Sequence, residues 1–480
     1  MKNKKSIYIK ELRHYTKREL LEFIDEKDID KLLKYAILNK DKGTYQFNYV
    51  GVIIIDDLVI NCYPKYIPSK ENIHDDFKQV IKVMKKYDSL HDDFNYENEE
   101  IEDISFNLLS MMIFFLEDYY EYGVYSNIQN ILEINGNGEI DWNRTINYTD
   151  PIIKNNRPYY VELYTKHKID DLYDYFRLLH EYIITKCSKK LEYLGLLELF
   201  DLTPVELSDN SQDDFGELNI ILEKLEKELH VEFNSHKQKL LKSMHTFLSE
   251  ENSFTNENYL TLYGTSTYHV IWEEMCKRIF SDKLDKSLKD LGFKDSKTKL
   301  IDVIKKPQWI YKDIKTHEAK GTFIPDIVTF HENEFIILDA KYYKLKFDEK
   351  HLFGQPPLES ITKQYLYELA YREFIKEYQF SGVKNAFLLP KYTGEIENIG
   401  IAKLEILSNL GLEDIQVIML PADMINQSYL DNKKISIKDL KFKEKSSNAD
   451  ERLKRQEKME DLMKNPELED LPPRYLDMLL

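Results

Sequence analysis

Hydrophobic and polar positions along this chain follow two periods, and each change of period marks a new segment. Thr16 to Asn39 alternates charge and predicts a polar helix. β-Branched residues then crowd Thr44 to Ile55 and Leu58 to Lys65 on either side of Asp56-Asp57, which predicts a hairpin. Residues 71–130 read as helical, and Ile134 to Ile146 as a Gly-punctuated turn feeding a short strand. Helical patterns over 168–200 and 218–250 flank a polar loop at Ser208 to Asp214. Glu250 to Asn258 reads as a linker. Beyond it lie short apolar runs, among them Ala386 to Leu389 and Ile415 to Leu420, and helical stripes. The pattern predicts an α/β (α+β) multidomain chain. Residues 1–70 form a β-rich domain, 71–255 a mainly helical one, 256–430 a mixed one, and 431–480 a charged tail, read as exposed helix or disorder.

The mixed segment carries the candidate chemistry. From Gly321 to Tyr343 two Ile/Val/Phe-rich strands flank the turn His331 to Glu334. Asp326, Asp339 and Lys341 fall in or beside these apolar strands, where an unpaired charge is costly. Asp339 and Lys341 are two residues apart, so a strand projects both from one face. Two carboxylates and an ammonium suit a hard cation such as Mg²⁺, which takes oxygen ligands and retains waters. Lys341 would orient the attacking water or hold a phosphate. The same residues also describe a plain hairpin with two surface carboxylates and a satisfied Lys.

Two helices flank the pair. Trp272, Met275, Cys276 and Ile279 form one apolar stripe. Glu359 to Phe374 is amphipathic, with Leu358, Ile361, Tyr365 and Leu369 expected to face a core.

Composition narrows the classes. Three Cys, at positions 62, 187 and 276, form neither a disulfide framework nor a zinc motif. The apolar run Leu108 to Leu116 is too short to span a bilayer, and the basic start lacks a signal-peptide core. A soluble, cytoplasmic protein without a membrane role is expected. The formal net charge is −18, so DNA contact must come from a local basic patch. Lys305, Lys306, Lys341, Lys344 and Lys346 are candidates for a phosphate-facing groove.

Pro325-Asp326 followed by Asp339-Ala340-Lys341 resembles the PD-(D/E)XK nuclease superfamily. That resemblance implies a restriction-endonuclease-like fold and metal-dependent cutting of DNA. Asp326 and Asp339 would hold Mg²⁺, with the Ala340 carbonyl as a further ligand. A Glu on the preceding helix would complete the site: Glu273 or Glu274, with Glu273 favoured beside Trp272. Gln364 matches the polar residue such nucleases present from the following helix.

The order of Val50-Gly51-Val52, Pro64-Lys65, Gly138 to Trp142 and the PD…DAK segment resembles McrC-like subunits of McrBC-type restriction systems, most closely the LlaJI family. The resemblance implies a nuclease subunit that docks through its N-terminal region on a separate McrB-like AAA+ GTPase motor. A DNA methyltransferase in the same system would favour restriction over DNA repair. The sequence contains no GxxxxGK[ST] phosphate loop, so a motor must be another polypeptide. A non-catalytic adaptor that activates and anchors the motor, or a repair nuclease, are the alternatives.

Overall fold

The computed structural model describes residues 5–69, 73–91, 108–170, 173–253, 260–293, 297–311, 315–347 and 352–443. Most of the expected linker and the tail beyond residue 443 lie outside these residues. The chain divides into two compact units, Met1–Ile271 and Trp272–Leu480, and the division falls inside the helix Tyr268–Ile279.

In the first unit the centre of the expected hairpin forms, with Val50–Ile55 antiparallel to Leu58–Tyr63, while Thr44–Phe47, expected in its first strand, pairs instead with Leu38–Asp41. Lys5–Lys10 adds in parallel on one side, and Leu260–Thr265 antiparallel on the other. Gly51 and Gly264 face each other across that last pairing. A Cβ on Gly51 would meet the Tyr263 carbonyl oxygen at 2.2 Å, so the close approach requires glycine.

Other expected elements also differ: the 168–200 pattern opens in the end of a strand, Tyr164–Asp170, and its helix spans Tyr175–Leu194. The Thr16 helix breaks into Lys17–Leu21 and Glu26–Lys34, because Thr16 and Glu19 form a capping box and extended Asp25 begins a second helix. The 218–250 pattern likewise forms two helices, Leu218–Val231 and Ser235–Ser253. The Ile134 turn feeds only the short strand Glu139–Ile140. Trp142–Tyr148 is then a helix, since the Asp141 side chain accepts the Arg144 N–H and caps its start.

The second unit contains, among the described residues, a five-stranded sheet in the order Ile327–His331, Glu334–Ala340, Gly382–Lys391, Ile415–Pro421, Glu397–Ala402. The three central strands are parallel and the outer pairings antiparallel. Glu332 and Asn333 both take positive φ, which closes the predicted turn tightly enough to pair His331 with Glu334.

The helix Leu358–Glu377 lies in the chain between the parallel strands Glu334–Ala340 and Gly382–Lys391. It packs Tyr367, Tyr371 and Phe374 against Phe335 and Ile337, and Tyr365 against Phe387 and Leu389. Alternation places Phe335, Ile337 and Asp339 on one sheet face, so the helix covers the face that carries Asp339. Leu358 and Leu369, expected in that core, are exposed. Large aromatic rings on the neighbouring faces of the helix fill the space instead.

Candidate active site

The carboxylate pair is assembled by strand register. Ile327 pairs with Leu338, so Asp326 falls opposite Asp339 at the end of the antiparallel pair. The Ala340 N–H donates to Asp326 Oδ2 at 2.9 Å. The ammonium of Lys341 lies 2.6 Å from Asp339 Oδ2. Asp339 is nearly fully buried, while Asp326 and Lys341 are partly accessible. The two carboxyl groups are within hydrogen-bonding reach of each other.

Electrostatics follow from this crowding. Burial, then Asp326, pushes the Asp339 carboxyl well above the carboxylate range, against the opposing pull of Lys341. Burial alone would lower the Lys341 ammonium, but Asp339 and then Asp326 raise it above its ordinary value. The site therefore gathers two carboxyl groups in a largely desolvated place with an ammonium paired to one of them.

Glu273 belongs to the same electrostatic group. Its carboxyl is pushed up to about 7, first by burial and then by Asp326, with Lys341 and Lys277 opposing. Its neighbour Glu274 is engaged elsewhere, accepting from Arg278 Nε at 2.6 Å. The apolar stripe that positions Glu273 is buried as the spacing predicts. Trp272 Nε1–H also donates to the Leu388 carbonyl, which accepts the Lys341 N–H as well. One carbonyl thus anchors both the helix carrying Glu273 and the turn carrying Lys341.

Gln364 is fully buried rather than exposed. Its Nε2 donates to Asn385 Oδ1 at 2.6 Å and to the Ile337 carbonyl at 3.4 Å. Its Oε1 has no hydrogen-bond partner among the described residues. Gln364 thus ties the covering helix to the two strands beside the carboxylates.

Tyr367 escaped the sequence reading. Burial, then Asp339, Asp326 and Glu273, raises its hydroxyl well above the ordinary value, which marks it as a neighbour of all three carboxyls. Its spacing of three residues from Gln364 was the available signal, since both then share a helix face. Lys305, Lys306 and Lys344 are exposed, and the side chain of Lys346 lies outside the described residues.

The donor set is all oxygen, which fits Mg²⁺ better than zinc or a softer metal. Among the described residues, no group of three or more His, Cys, Asp or Glu forms a closed metal cage. Two adjoining carboxylates meet the lesser demand of Mg²⁺, which is held by one or two carboxylates and keeps several of its own waters.

The profile of the LlaJI restriction endonuclease family matches residues 49–423. The chain belongs to that family. The matched span contains Glu273, Asp326, Asp339, Lys341 and Gln364. A relative, the type II restriction enzyme BsuMI component YdjA of Bacillus subtilis (strain 168), is 29% identical over 456 residues, or 91% of this chain and 92% of that protein. The chain is also similar to solved structures from Thermococcus gammatolerans. One is a half-complex of McrB AAA+ hexamers with bound McrC, at 13% identity and a TM-score of 0.38, covering 89% of this chain and 99% of that one. The other is the McrBC complex, at 13% identity and a TM-score of 0.23, covering 57% and 86%. Among the described residues of this LlaJI-family chain, no helix is long and apolar enough to cross a membrane.

Proposed function

We propose that this chain is the DNA-cutting subunit of a restriction system, a Mg²⁺-dependent endonuclease of the PD-(D/E)XK type. The observation that carries the reading is the Lys341 ammonium on Asp339 Oδ2, with Asp326 opposite in register. Membership of a restriction endonuclease family supports it. Asp326 and Asp339 would hold the cation, with Glu273 and the Ala340 carbonyl as further oxygens. When bound, Mg²⁺ supplies a more acidic water and neutralises charge on the phosphoryl group. Lys341 Nζ holds the scissile phosphate and stabilises the charge that develops on its oxygens. A cation held there would favour the ionised form of Glu273 against burial and Asp326, which otherwise raise its carboxyl to about 7. Gln364 and Tyr367 position the strand ends and limit water behind the carboxylates.

A McrB-like AAA+ GTPase would be the partner, because the sequence lacks a phosphate loop of its own. A methyltransferase of the same system would protect host DNA. The test is plasmid cleavage by the wild-type chain and Asp339→Asn, with and without the motor encoded beside it and GTP or ATP. Cutting that requires Asp339, Mg²⁺ and the motor upholds the proposal. Stimulated nucleotide hydrolysis without cutting in any arm would replace it with the adaptor reading.

A further inference from the structure

Strands Gln308–Tyr311 and Lys315–Glu318 form a separate two-stranded ribbon in the second unit. Its first strand is exposed along its whole length. Trp309 is 71%, Ile310 64% and Tyr311 60% accessible, which is rare for three successive large apolar residues. Register sorts the side chains by face. Trp309 pairs with His317, and Tyr311, two residues on, alternates onto the same side, so two aromatic positions and an imidazole share one face. Gln308 with Glu318 and Ile310 with Thr316 fall on the other.

The ribbon is also an island of opposite charge. Residues 305–320 hold five Lys against Asp313 and Glu318, in a chain of net charge −18. Lys305, Lys306 and Lys320, at its base, are exposed. A ribbon built to dock on protein would be depleted of Lys around its apolar centre. Aromatic faces interleaved with Lys are what a nucleic acid strand binds: bases stack on the rings and the ammonium groups meet phosphates.

Its base leads along the chain to the carboxylate site. The Ala319 N–H donates to the Pro307 carbonyl at 2.8 Å and closes the ribbon. Thr322 Oγ1 donates to the Lys305 carbonyl at 3.0 Å. The chain then runs through Phe323, Ile324 and Pro325 to Asp326, a reach of at most about 25 Å from Ala319. Phe323 contacts Tyr367 edge-on at 6.4 Å between ring centroids, and Tyr367 neighbours the carboxyls.

We propose that this ribbon is a DNA-binding element, with Trp309, Tyr311 and His317 stacking on bases while the flanking lysines hold the backbone. The inference rests on the nuclease reading only for its choice of DNA. The test uses the full chain carrying Trp142→Phe, which leaves buried Trp272 and exposed Trp309 as the tryptophans. Labelled single-stranded and duplex oligonucleotides are titrated in EDTA at low salt, following anisotropy and Trp fluorescence. We expect DNA to quench the exposed tryptophan, and Trp309→Ala/Tyr311→Ala to weaken binding about tenfold or more, with an unchanged melting temperature. Lys305→Ala/Lys306→Ala should weaken binding and flatten its salt dependence.

Unchanged affinity in the Trp309/Tyr311 variant overturns the proposal. So does normal DNA binding by that variant combined with lost capture of the motor, which would make the ribbon a protein contact. No binding by the wild type overturns it too. Asp339-dependent plasmid cleavage, assayed in parallel, decides the nuclease reading separately in each case.

Discussion

Asp326 accepts a 2.9 Å hydrogen bond from the backbone N–H of Ala340, and this bond couples the two halves of the carboxylate pair. The side chain thus has a structural task besides its charge. Asp326→Asn keeps an oxygen acceptor for that N–H, whereas Asp326→Ala orphans it at a buried strand end. Both variants should lose plasmid cleavage. Asp326→Ala should be less stable than Asp326→Asn by about 1–3 kcal/mol, read from urea unfolding. Equal stability would mean that water replaces the lost acceptor. Cutting by either variant would remove Asp326 from the site.

Lys341 offsets two carboxylates, and its side chain is mostly buried. Lys341→Met should abolish cutting. It should also leave Asp339 with its like-charged neighbour and no cation, so that Asp339 keeps its proton to higher pH. The variant should then lose stability relative to wild type as pH rises above about 8, where Asp339 ionises in the wild-type fold but keeps its proton in the variant. Parallel melting curves for the two proteins across this range would contradict the pairing.

Much of this arrangement is legible in the sequence. The apolar runs on either side of Glu332-Asn333 locate the strand pair, and an odd pairing sum carries Asp326 opposite Asp339. The Trp272 stripe fixes a buried helix face and leaves Glu273 beside it. The rest depends on contacts between distant segments. Nothing local marks Leu260–Thr265 as a partner of Val50–Ile55. Asn385, which engages Gln364, lies just before the apolar run Ala386 to Leu389, where nothing local singles it out. Tyr367 was hidden because its helix carries aromatic residues on nearly every face, so periodicity alone does not single it out. Trp142–Tyr148 is hard to see as a helix because its strand-forming residues outweigh the Asp141 cap in the local pattern.

Gln364 bridges helix and sheet through Asn385, and that bridge gives it a structural task that can be measured apart from cutting. Gln364→Leu should strand the Asn385 oxygen and cost about 1–3 kcal/mol of stability. Gln364→Leu/Asn385→Leu, which removes both polar partners, should recover part of that loss. Cleavage by the double variant should persist at reduced rate below its melting range. Complete loss of cutting with intact folding would instead give Gln364 a direct part in catalysis.

Glu273 sets the expected pH dependence. Its carboxyl is raised from 4.5 to about 7, by burial first and Asp326 second. In the fold it keeps a proton that the unfolded chain has already released. The stability it contributes is therefore full at acidic pH and is lost as pH rises from about 4.5 toward 7. Protons and Mg²⁺ compete for the same oxygens, so Mg²⁺ affinity should rise over the same interval and beyond it as Asp339 ionises. The measurement is the melting temperature with and without Mg²⁺ at pH 6, 7 and 8. The Mg²⁺-dependent increase should grow with pH in the wild type, by mass action on the folded state. Glu273→Gln should show a smaller increase, and Asp339→Asn almost none. A shift of the same size at every pH, or one retained in Asp339→Asn, would place the cation elsewhere.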